Sequence, residues 1–509
     1  MAAERPAQVV SLVGMTAWDT TASDTAALAD IAANLDARMA THRTDLEALV
    51  RIPSVSASGF DAAHVRHSAE WVRDKLTERG LDHSRLLEID GAHPAVYADH
   101  LHAAGAPTVL LYAHHDVQPP GDEALWSSPV FDPTERAGRL FARGAADDKA
   151  GVLLHVAAVD AWLQTRGSLP LNIRIIVEGE EEIGSEHLPD FLDRYHDLLQ
   201  ADVVVVADTA NWQVGVPALT YALRGLVDCD VELRALDHAL HSGMYGGPVP
   251  DPVMAMSKLL AGLTDEQGTV AIPGFADDVQ PLSEAASRRL QALDFDEQRF
   301  RGEAGMLDGV ELVGDPERSV LERLWLRPCA TVIGFDAVPV ATSSNTLTPS
   351  TRARVSLRLA PGQDPLRARA LLCRWLEDHV PWGLRATVTP GSAGPAYIAD
   401  PFAGPARPTF EAAERALEAA YGQPVVYQGL GGSIPFVNDI TERLSVDPSQ
   451  PVPALLLGVE DPDTRAHGID ESLHLADWRS ACLAEAYLFA ELAATSTGLG
   501  NQNRSAGTG

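Results

Sequence analysis

The chain has 509 residues, of which 46% are hydrophobic, and it carries a formal net charge of −32 at pH 7. This length predicts two to four domains; the acidic surface argues against nucleic-acid and membrane partners, and no apolar run approaches the ~20 residues of a membrane span. The four cysteines are widely spaced and form no CxxC pair, which fits a cytoplasmic protein and predicts no cysteine-bound zinc.

The first part of the chain alternates helical and strand patterns. The spacing of apolar residues predicts helices over residues 24–50 and 61–79. Further elements follow in the order strand 109–112, helix 150–164, strand 172–177, helix 187–199 and strand 203–206. Strands that alternate with helices indicate a largely parallel sheet covered on both faces.

The pattern changes near residue 220 and returns after residue 391. The middle segment is predicted to contain a half-exposed strand at 221–236, a helix at 252–263, a loop-rich stretch at 265–327, strands at 330–335 and 353–359, and a helix at 365–378. An antiparallel sheet with two helices is a ferredoxin-like pattern. The α/β pattern then resumes with a helix at 408–421, a strand at 453–457 and a helix at 472–494.

The predicted fold class is therefore α/β, with a mostly parallel-sheet catalytic domain interrupted by an inserted α+β, ferredoxin-like domain. The catalytic domain covers residues 24–217 and 395–494, and the inserted domain covers residues 218–394. Residues 495–509 are rich in Gly, Ser and Asn and are predicted to form a disordered tail.

Acidic residues and histidines follow the apolar strands where each strand ends. His114 and Asp116 come after the first strand, an acidic run with Glu181 and Glu182 after the second, and Asp208 after the third. A carboxylate run beside a buried strand costs free energy unless a cation offsets it. Because ligands of open α/β sheets bind beyond the carboxyl ends of strands, these residues indicate a metal site.

Each candidate taken alone has an ordinary explanation. Asp147, just before a predicted helix, has the place of an N-cap, and His467 is a lone loop histidine. Together the histidines and carboxylates form a mixed nitrogen and oxygen ligand set that suits zinc, and manganese or cobalt less selectively. A shared carboxylate can hold two metals about 3.5–4 Å apart, and such pairs hydrolyse amides.

Nine motifs in this order and spacing resemble metallopeptidase family 20, which includes the carnosine-type dipeptidases, peptidase V, succinyl-diaminopimelate desuccinylase and the aminoacylases. The motifs are AHHDVQPP, RGAADDKA, EGEEEIGS, VVADT, LHSGMYGG, SSNTLTP, SLRLAPGQDP, GGSIP and AHGIDES. The resemblance runs from about Leu46 to Ala490. The stretches HHDVQP, EGEEEIGS and LHSGMYGG are closest to the dipeptidase branch.

This resemblance implies two bound divalent metal ions, with zinc expected and manganese or cobalt as alternatives. His114 and Asp208 are implied as ligands of the first metal, and Glu182 and His467 as ligands of the second. Asp147 is implied as the carboxylate that bridges both metals.

The resemblance also implies three catalytic residues. Asp116 orients His114, and Glu181 is the general base for a water held between the two metals. His241 stabilises the tetrahedral oxyanion, and in dimeric members of the family this histidine reaches the partner subunit's active site. His115 is a rival ligand, but the spacing to Asp116 favours His114.

Substrate binding is implied for residues that each have a plain alternative. Asn345 could be a turn residue and Arg358 a charge at a strand edge. The loop Gly431-Gly432-Ser433 resembles the one that holds the substrate's free carboxylate, although two glycines also suit an ordinary bend.

The implied function is metal-dependent hydrolysis of the peptide bond of dipeptides or similar small amides. The alternatives are an N-acyl amino acid deacylase of the aminoacylase type and a non-catalytic binding protein on the same fold. Motifs of the form GxSxG, HExxH or a P-loop are absent from the sequence, which argues against serine hydrolases, zincins and NTPases. The inserted domain has the size of the lid or dimerisation domain of dimeric relatives, so we expect a homodimer.

Overall fold

The computed structural model describes residues 22–503 apart from residues 283, 433, 435 and 446–450. The helices are, in chain order, α1 (Ala22–Val50), α2 (Ala62–Glu78), α3 (Lys149–Arg166), α4 (Leu188–Arg194), α5 (His196–Leu199), α6 (Ser242–Tyr245), α7 (Pro252–Ala261), α8 (Glu284–Ala292), α9 (Glu297–Glu303), α10 (Val320–Trp325), α11 (Pro365–Asp378), α12 (Arg407–Tyr421), α13 (Phe436–Arg443) and α14 (Leu475–Asn503). The strands are β1 (Asp82–Leu87), β2 (Ala95–His100), β3 (Thr108–His114), β4 (Thr134–Arg136), β5 (Arg139–Phe141), β6 (Asn172–Glu178), β7 (Val203–Ala210), β8 (Ala218–Leu223), β9 (Gly225–Arg234), β10 (Leu240–His241), β11 (Cys329–Asp336), β12 (Thr346–Leu347), β13 (Ser350–Leu359), β14 (Arg385–Gly394), β15 (Tyr397–Ile398), β16 (Val426–Leu430), β17 (Ala454–Glu460) and β18 (Ser472–His474).

The largest sheet of the described chain has nine strands in the order β1-β2-β6-β3-β7-β17-β8-β15, with β16 paired to β8. Its middle strands are parallel, since β3 pairs with β6 and β7, and β7 pairs with β17. Antiparallel pairs lie toward the edges, at β1-β2, β2-β6 and β8-β15. The predicted α/β class with a mostly parallel sheet is confirmed, and the carboxyl ends of β6, β3, β7 and β17 meet at one edge.

Strand β3 shows why the central strands are continuous apolar runs. Val109, Leu111 and Ala113 pack into the hydrophobic core on one face of the sheet, while Leu110 and Tyr112 pack into the core on the other face. A strand buried on both faces needs no polar alternation, which is the usual pattern in a sheet covered by helices.

Two helical layers cover the sheet. Helices α1, α3, α12 and α14 contribute to the larger core, and α4 and α13 contribute to the smaller core. A buried ion pair joins two helices of the larger layer, because Nδ1 of His155 on α3 lies 2.9 Å from the carboxylate of Glu485 on α14. The Nε2 atom of the same imidazole contacts the carbonyl oxygen of Tyr112, 3.0 Å away, and ties this layer to β3.

The middle of the chain forms a separate antiparallel sheet with the order β11-β13-β9-β14. Helices α7 and α11 pack on it, with Leu259 and Leu372 in a third core. The chain order β9-α7-β11-β13-α11-β14 with this strand order is the predicted ferredoxin-like arrangement. β8 pairs with β16 in the central sheet, so the inserted sheet begins at β9 rather than at residue 218.

Four local predictions differ from the structure. The predicted helix 187–199 is two helices, α4 and α5, and the predicted strand 221–236 is two strands, β8 and β9, in different sheets. The loop-rich stretch 265–327 contains α8, α9 and α10, and residues 472–474 form strand β18 before α14 starts. α14 continues to Asn503, and residues 504–509 of the predicted disordered tail lie outside the described chain.

Candidate active site

The first cluster of possible metal ligands consists of His114, Asp147 and Asp208. One ligand atom from each of the three lies within 4.8 Å of the others. Nε2 of His114 is 3.1 Å from Oδ1 of Asp147 and 3.8 Å from Oδ1 of Asp208. His114 ends β3 and Asp208 lies near the end of β7, so two adjacent parallel strands bring these side chains to the same edge of the sheet.

The second cluster consists of Asp147, Glu182 and His467, whose ligand atoms also lie within 4.8 Å of one another. Nε2 of His467 is 3.1 Å from Oδ2 of Asp147 and 3.1 Å from Oε2 of Glu182. Asp147 therefore turns one carboxylate oxygen toward each histidine, His114 and His467. The structure brings together all five residues that the sequence suggested as metal ligands, and it places Asp147 between the two clusters.

The electrostatics of these clusters favour bound cations. Burial raises the pKa of Asp208 and Glu182, the latter to about 7, and the neighbouring Asp147 carboxylate raises both further. Glu460, at the end of β17, is a further carboxylate whose pKa is raised well above normal by burial and then by Asp147 and Asp208. Contacts with Asp147 and Glu182 outweigh burial and raise the pKa of His467 to about 11. This excess of close carboxylates is a donor set that fits divalent metal ions.

Asp116 is fully buried and fixes the positions of the His114 ring and of the backbone at Glu181 and Glu182. Its Oδ1 lies 3.4 Å from Nδ1 of His114, the ring nitrogen that faces away from Asp147. Its carboxylate accepts hydrogen bonds from the Ser56 hydroxyl at 2.7 Å and from the backbone N–H groups of Glu181 and Glu182 at 3.2 and 3.1 Å. Burial opposes its charge, but the bonds from His114 and Ser56 outweigh it and lower the Asp116 pKa.

Glu181 is half-buried and stands beside the carboxylates of both clusters. Burial raises its pKa well above the normal value, and the nearby Asp208 carboxylate raises it further. Within the described part of the chain, its side chain is in no hydrogen bond or ion pair. A carboxylate with a raised affinity for protons and no fixed partner can take up and return a proton.

His115 faces away from the metal clusters. Its Nε2 contacts the Pro94 carbonyl oxygen at 3.0 Å, and burial lowers its pKa to about 4. The choice of His114 over His115 therefore agrees with the geometry, because β3 points successive side chains to opposite faces.

Two residues that the sequence reasoning did not single out support the clusters. Glu471 is fully buried and accepts backbone N–H bonds from Ala146 and Asp147 at 3.0 and 3.2 Å, which positions the shared carboxylate. Gln118 donates from its backbone and from Nε2 to the Glu182 carboxylate at 3.0 and 2.9 Å. Both lie inside motifs of the sequence, AHGIDES and AHHDVQPP, but only the folded chain shows what they contact.

His241 and Asn345 lie together on the inserted domain. β10 pairs with β12, and the Ser242 N–H donates to the Asn345 carbonyl oxygen at 2.9 Å. Both His241 and Asn345 are exposed. The His241 ring accepts from the Gly243 N–H at 3.1 Å, and within the described chain it contacts none of the metal-cluster residues.

A second arginine, Arg224, lies close to both Arg358 and the Gly431-Gly432 loop. Arg224 donates from Nε to the Gly431 carbonyl oxygen at 2.9 Å and from its backbone to the Gly432 carbonyl oxygen at 3.1 Å. Burial lowers the pKa of half-buried Arg358, and the nearby positive charge of Arg224 lowers it further. Two close guanidinium groups beside a glycine loop suit an anion such as a carboxylate. Ser433, the third residue of this loop, lies outside the described residues.

Comparisons with known proteins agree with this geometry. Residues 110–491 match the sequence profile of Peptidase family M20/M25/M40. The cysteinylglycine-S-conjugate dipeptidase of Corynebacterium striatum is 32% identical over 421 residues, which cover 82% of this chain and 88% of the relative. The Cys-Gly metallodipeptidase dug1 of Schizosaccharomyces pombe is 27% identical over 85% of this chain and 91% of the relative. The crystal structure of human carnosine dipeptidase 1 superposes with a TM-score of 0.79 at 25% identity, covering 92% of this chain and 98% of that chain.

Proposed function

Because the chain belongs to the M20/M25/M40 peptidase family, we propose that it hydrolyses the peptide bond of dipeptides with two bound divalent metal ions. The observation that carries this proposal is the position of Asp147, whose two carboxylate oxygens each lie 3.1 Å from a different histidine. The names of the Corynebacterium and yeast relatives add that Cys-Gly and its S-substituted forms are the first substrates to test.

We propose zinc as the metal, with manganese and cobalt as alternatives, because the donor atoms are imidazole nitrogens and carboxylate oxygens. His114, Asp147 and Asp208 would hold one ion, and Asp147, Glu182 and His467 the other. When bound, two divalent ions would polarise the scissile carbonyl and increase the acidity of a bound water molecule. Asp116 and Glu471 would keep the ligand side chains in place.

Glu181 is the residue we propose for proton transfer. Its carboxylate accepts a proton from the attacking water, and the C–N bond then breaks as the same proton passes to the leaving amine. Arg224, Arg358 and the Gly431-Gly432 loop supply the positive charge and the space that would hold the free carboxylate of the dipeptide.

The variant Glu181→Gln tests this role. We expect kcat to fall by roughly 100- to 10,000-fold while the protein still binds two metal ions per chain. Glu186→Gln is a matched control in the same acidic segment, because Glu186 is exposed and should retain full activity. Near-normal turnover by Glu181→Gln would exclude it as the general base.

We also propose a homodimer in which His241 completes the active site of the partner subunit. Two observations support this proposal. His241 is exposed. In addition, β11 is the edge strand of the inserted sheet, and together with the turn that follows it this strand forms an exposed apolar surface. The exposed apolar residues of this surface are Val332, Ile333, Phe335, Val338 and Val340. Unpaired edge strands with apolar side chains tend to associate.

Mixed dimers test this arrangement. In a dimer of one His241→Ala chain and one Glu181→Gln chain, one site would receive both intact residues. Random pairing makes half of the dimers mixed, and each mixed dimer has one intact site out of two. About a quarter of all sites should therefore recover activity. Mixed dimers without any recovery would show that His241 acts within its own subunit or not at all.

We propose a cytoplasmic location on the basis of cysteine chemistry. The four cysteines are free, and proteins of reducing compartments keep their thiols unpaired. Among the described residues, the structure has no helix long and apolar enough to cross a membrane.

The enzymatic alternative is an N-acyl amino acid deacylase, because the same metal site serves both reactions. One panel of dipeptides, tripeptides and N-acetyl amino acids, incubated with metal-stripped protein with and without added zinc or manganese, separates them. Metal-dependent release of amino acids from dipeptides alone supports the proposal. Cleavage of only N-acetyl amino acids would move the protein to the deacylases, and tight metal binding without cleavage would favour a non-catalytic protein.

A further inference from the structure

A cavity of about 430 Å³ opens at the same edge of the central sheet as the metal clusters. Its wall includes Ala210, two residues after Asp208, and Leu430, the residue before Gly431. It also includes Asp461, which follows the end of β17. The cavity therefore lies beside the ends of β7 and β17, and β16, which runs antiparallel to these two strands, contributes Leu430 to its wall. Its lining residues are close in the chain to residues proposed to bind metal and substrate.

Four aromatic side chains line this cavity. Trp212 and Trp325 meet edge to face with ring centroids 6.2 Å apart, and Phe295 lies against Phe300 with centroids 5.7 Å apart. Trp325 is only 4% exposed and Leu321 is equally buried. Aromatic walls of this kind bind apolar and aromatic groups through contact area and ring packing.

The chain builds part of this wall with the segment that was predicted to be a loop at 265–327. The residues between α8 and α9, α9 itself and α10 bring Phe295, Phe300 and Trp325 to the cavity beside Ala210 of β7 and Leu430 of β16. Behind the wall, Nε2 of Gln428 donates to the Ala210 carbonyl oxygen at 2.5 Å, which ties the two strands together. This bond satisfies Nε2 of the buried Gln428, and the aromatic side chains supply the surface that an apolar group would contact.

Apart from the buried Asp461, which pairs with Arg139 at 2.9 Å, the charged residues of the lining are exposed at the rim. Asp294 and Asp296 are exposed there. The guanidinium of Arg299 is held by Glu303, with Nε to Oε1 at 2.6 Å, and by Gln213 at 2.8 Å. An acidic rim around an apolar interior repels an anionic side chain and admits a neutral one.

We infer that this cavity is the substrate subsite for a bulky apolar side chain of the dipeptide, such as an aromatic residue or a substituted cysteine thioether. The inference rests on the proposed function, since it names the substrate class of the same active site. A cavity of this size exceeds what the side chain of alanine or cysteine fills, and each buried methylene that contacts such a wall adds specificity.

Competition between two substrates in one reaction tests the inference. Zinc-loaded enzyme receives an equimolar pair, first Phe-Gly with Ala-Gly, then S-benzyl-Cys-Gly with Ala-Gly, then Asp-Gly with Ala-Gly. The ratio of initial rates equals the ratio of kcat/KM and does not depend on the fraction of active enzyme. We expect the two bulky substrates to be preferred by about tenfold or more, and Asp-Gly to be cleaved less well than Ala-Gly. Equal rates across the three pairs would overturn the inference.

Two variants locate the preference in the cavity. Trp212→Ala removes one aromatic wall, and Ala210→Phe fills the cavity from the β7 side with a residue that strands accept. Each should lower the Phe-Gly to Ala-Gly ratio by about tenfold. Trp382→Ala is the matched control, because Trp382 is 57% exposed on the inserted domain and should leave the ratio unchanged. A ratio that neither cavity variant moves would overturn the inference.

The failure of this inference is distinguishable from failure of the proposed function. Hydrolysis of Ala-Gly by wild-type enzyme without a preference for bulky partners rejects the subsite and keeps the dipeptidase. No metal-dependent hydrolysis of any dipeptide rejects both. The same competition run with Gly-Phe and Gly-Ala tells which residue of the dipeptide occupies the cavity.

Discussion

Replacing Glu471 by Gln removes a charge on which the shared ligand Asp147 depends. One oxygen of the fully buried Glu471 carboxylate accepts from Nη1 of Arg143 at 2.7 Å and from the Gly144 N–H at 3.0 Å. The other oxygen accepts from the N–H groups of Ala146 and Asp147 at 3.0 and 3.2 Å. Burial raises the Glu471 pKa, but all four partners are donors and none could accept a carboxyl proton, so we treat the group as charged.

The size of the effect follows from the burial of Arg143, which is 1% exposed. A glutamine would leave the guanidinium charge without its counter-ion and turn an NH₂ group toward other donors. Removing one member of a buried ion pair costs about 3–5 kcal/mol, which for the two-part catalytic domain is a fall in Tm of roughly 5–8 °C. The loosened Asp147 should also bind each metal about 10- to 100-fold more weakly.

The assay is thermal unfolding of metal-free protein followed by circular dichroism, with metal titration as a second measurement. Glu47→Gln is the matched control, because its ion pair with Arg43 is partly exposed, with 24% and 34% of the side chains accessible, and should contribute at most about 1 kcal/mol. If Glu471→Gln melts within about 2 °C of the wild type, the reasoning about the buried ion pair is refuted.

Three further outcomes follow from particular contacts. Asp147→Ala should lose both metal ions and Asp208→Ala only one, since Asp147 belongs to both clusters; elemental analysis of dialysed protein decides, and equal losses would contradict a shared ligand. Burial opposes the charge of His155, but its carboxylate partner on α14 outweighs burial and raises the His155 pKa. The folded pKa of His155 exceeds the unfolded value of about 6.5. The ion pair therefore stabilises the fold fully below a pH of about 6.5, and this stabilisation is lost as pH rises through the folded pKa. We expect His155→Gln to remove this pH-dependent fall from a plot of the urea-unfolding midpoint against pH. Gly458→Ala would push a Cβ into the Thr209 carbonyl group, whereas Gly302→Ala meets open space, so only the first should lower the melting temperature.

The sequence is informative about the site wherever a strand ends in a charged residue. His114 and Asp208 could be selected because each terminates an apolar run, and the side chain that ends a buried parallel strand must face the sheet edge. Glu471 could not be selected in this way, because its importance comes from donors more than 300 residues away in the chain. His241 was suggested by resemblance alone, and its role remains a prediction.

Local patterns were least reliable where long-range contacts decide the structure. The predicted strand 221–236 breaks at Arg224, whose side chain and backbone are held by the glycine loop of a distant segment. Residues 265–327 have weak periodicity, yet α8 and α10 form there because Ala222 of β8 and the neighbouring Trp212 supply apolar surface on which they pack. Tertiary contacts thus override the intrinsic preferences of short segments.

The strand order of the central sheet also governs the timing of folding. β17 comes from residues 454–460 but lies between β7 and β8, which precede residue 224. At a synthesis rate of 5–20 residues per second, β17 is synthesised roughly 10–50 s after β7, so β7 lacks this partner strand during that time. During this interval the inserted sheet, contiguous from β9 to β14, can complete itself, while the catalytic half keeps two open strand edges that invite aggregation. Nascent chains of this protein therefore expose these strand edges until late in translation, and they can form a second metal site only after His467 has left the exit tunnel.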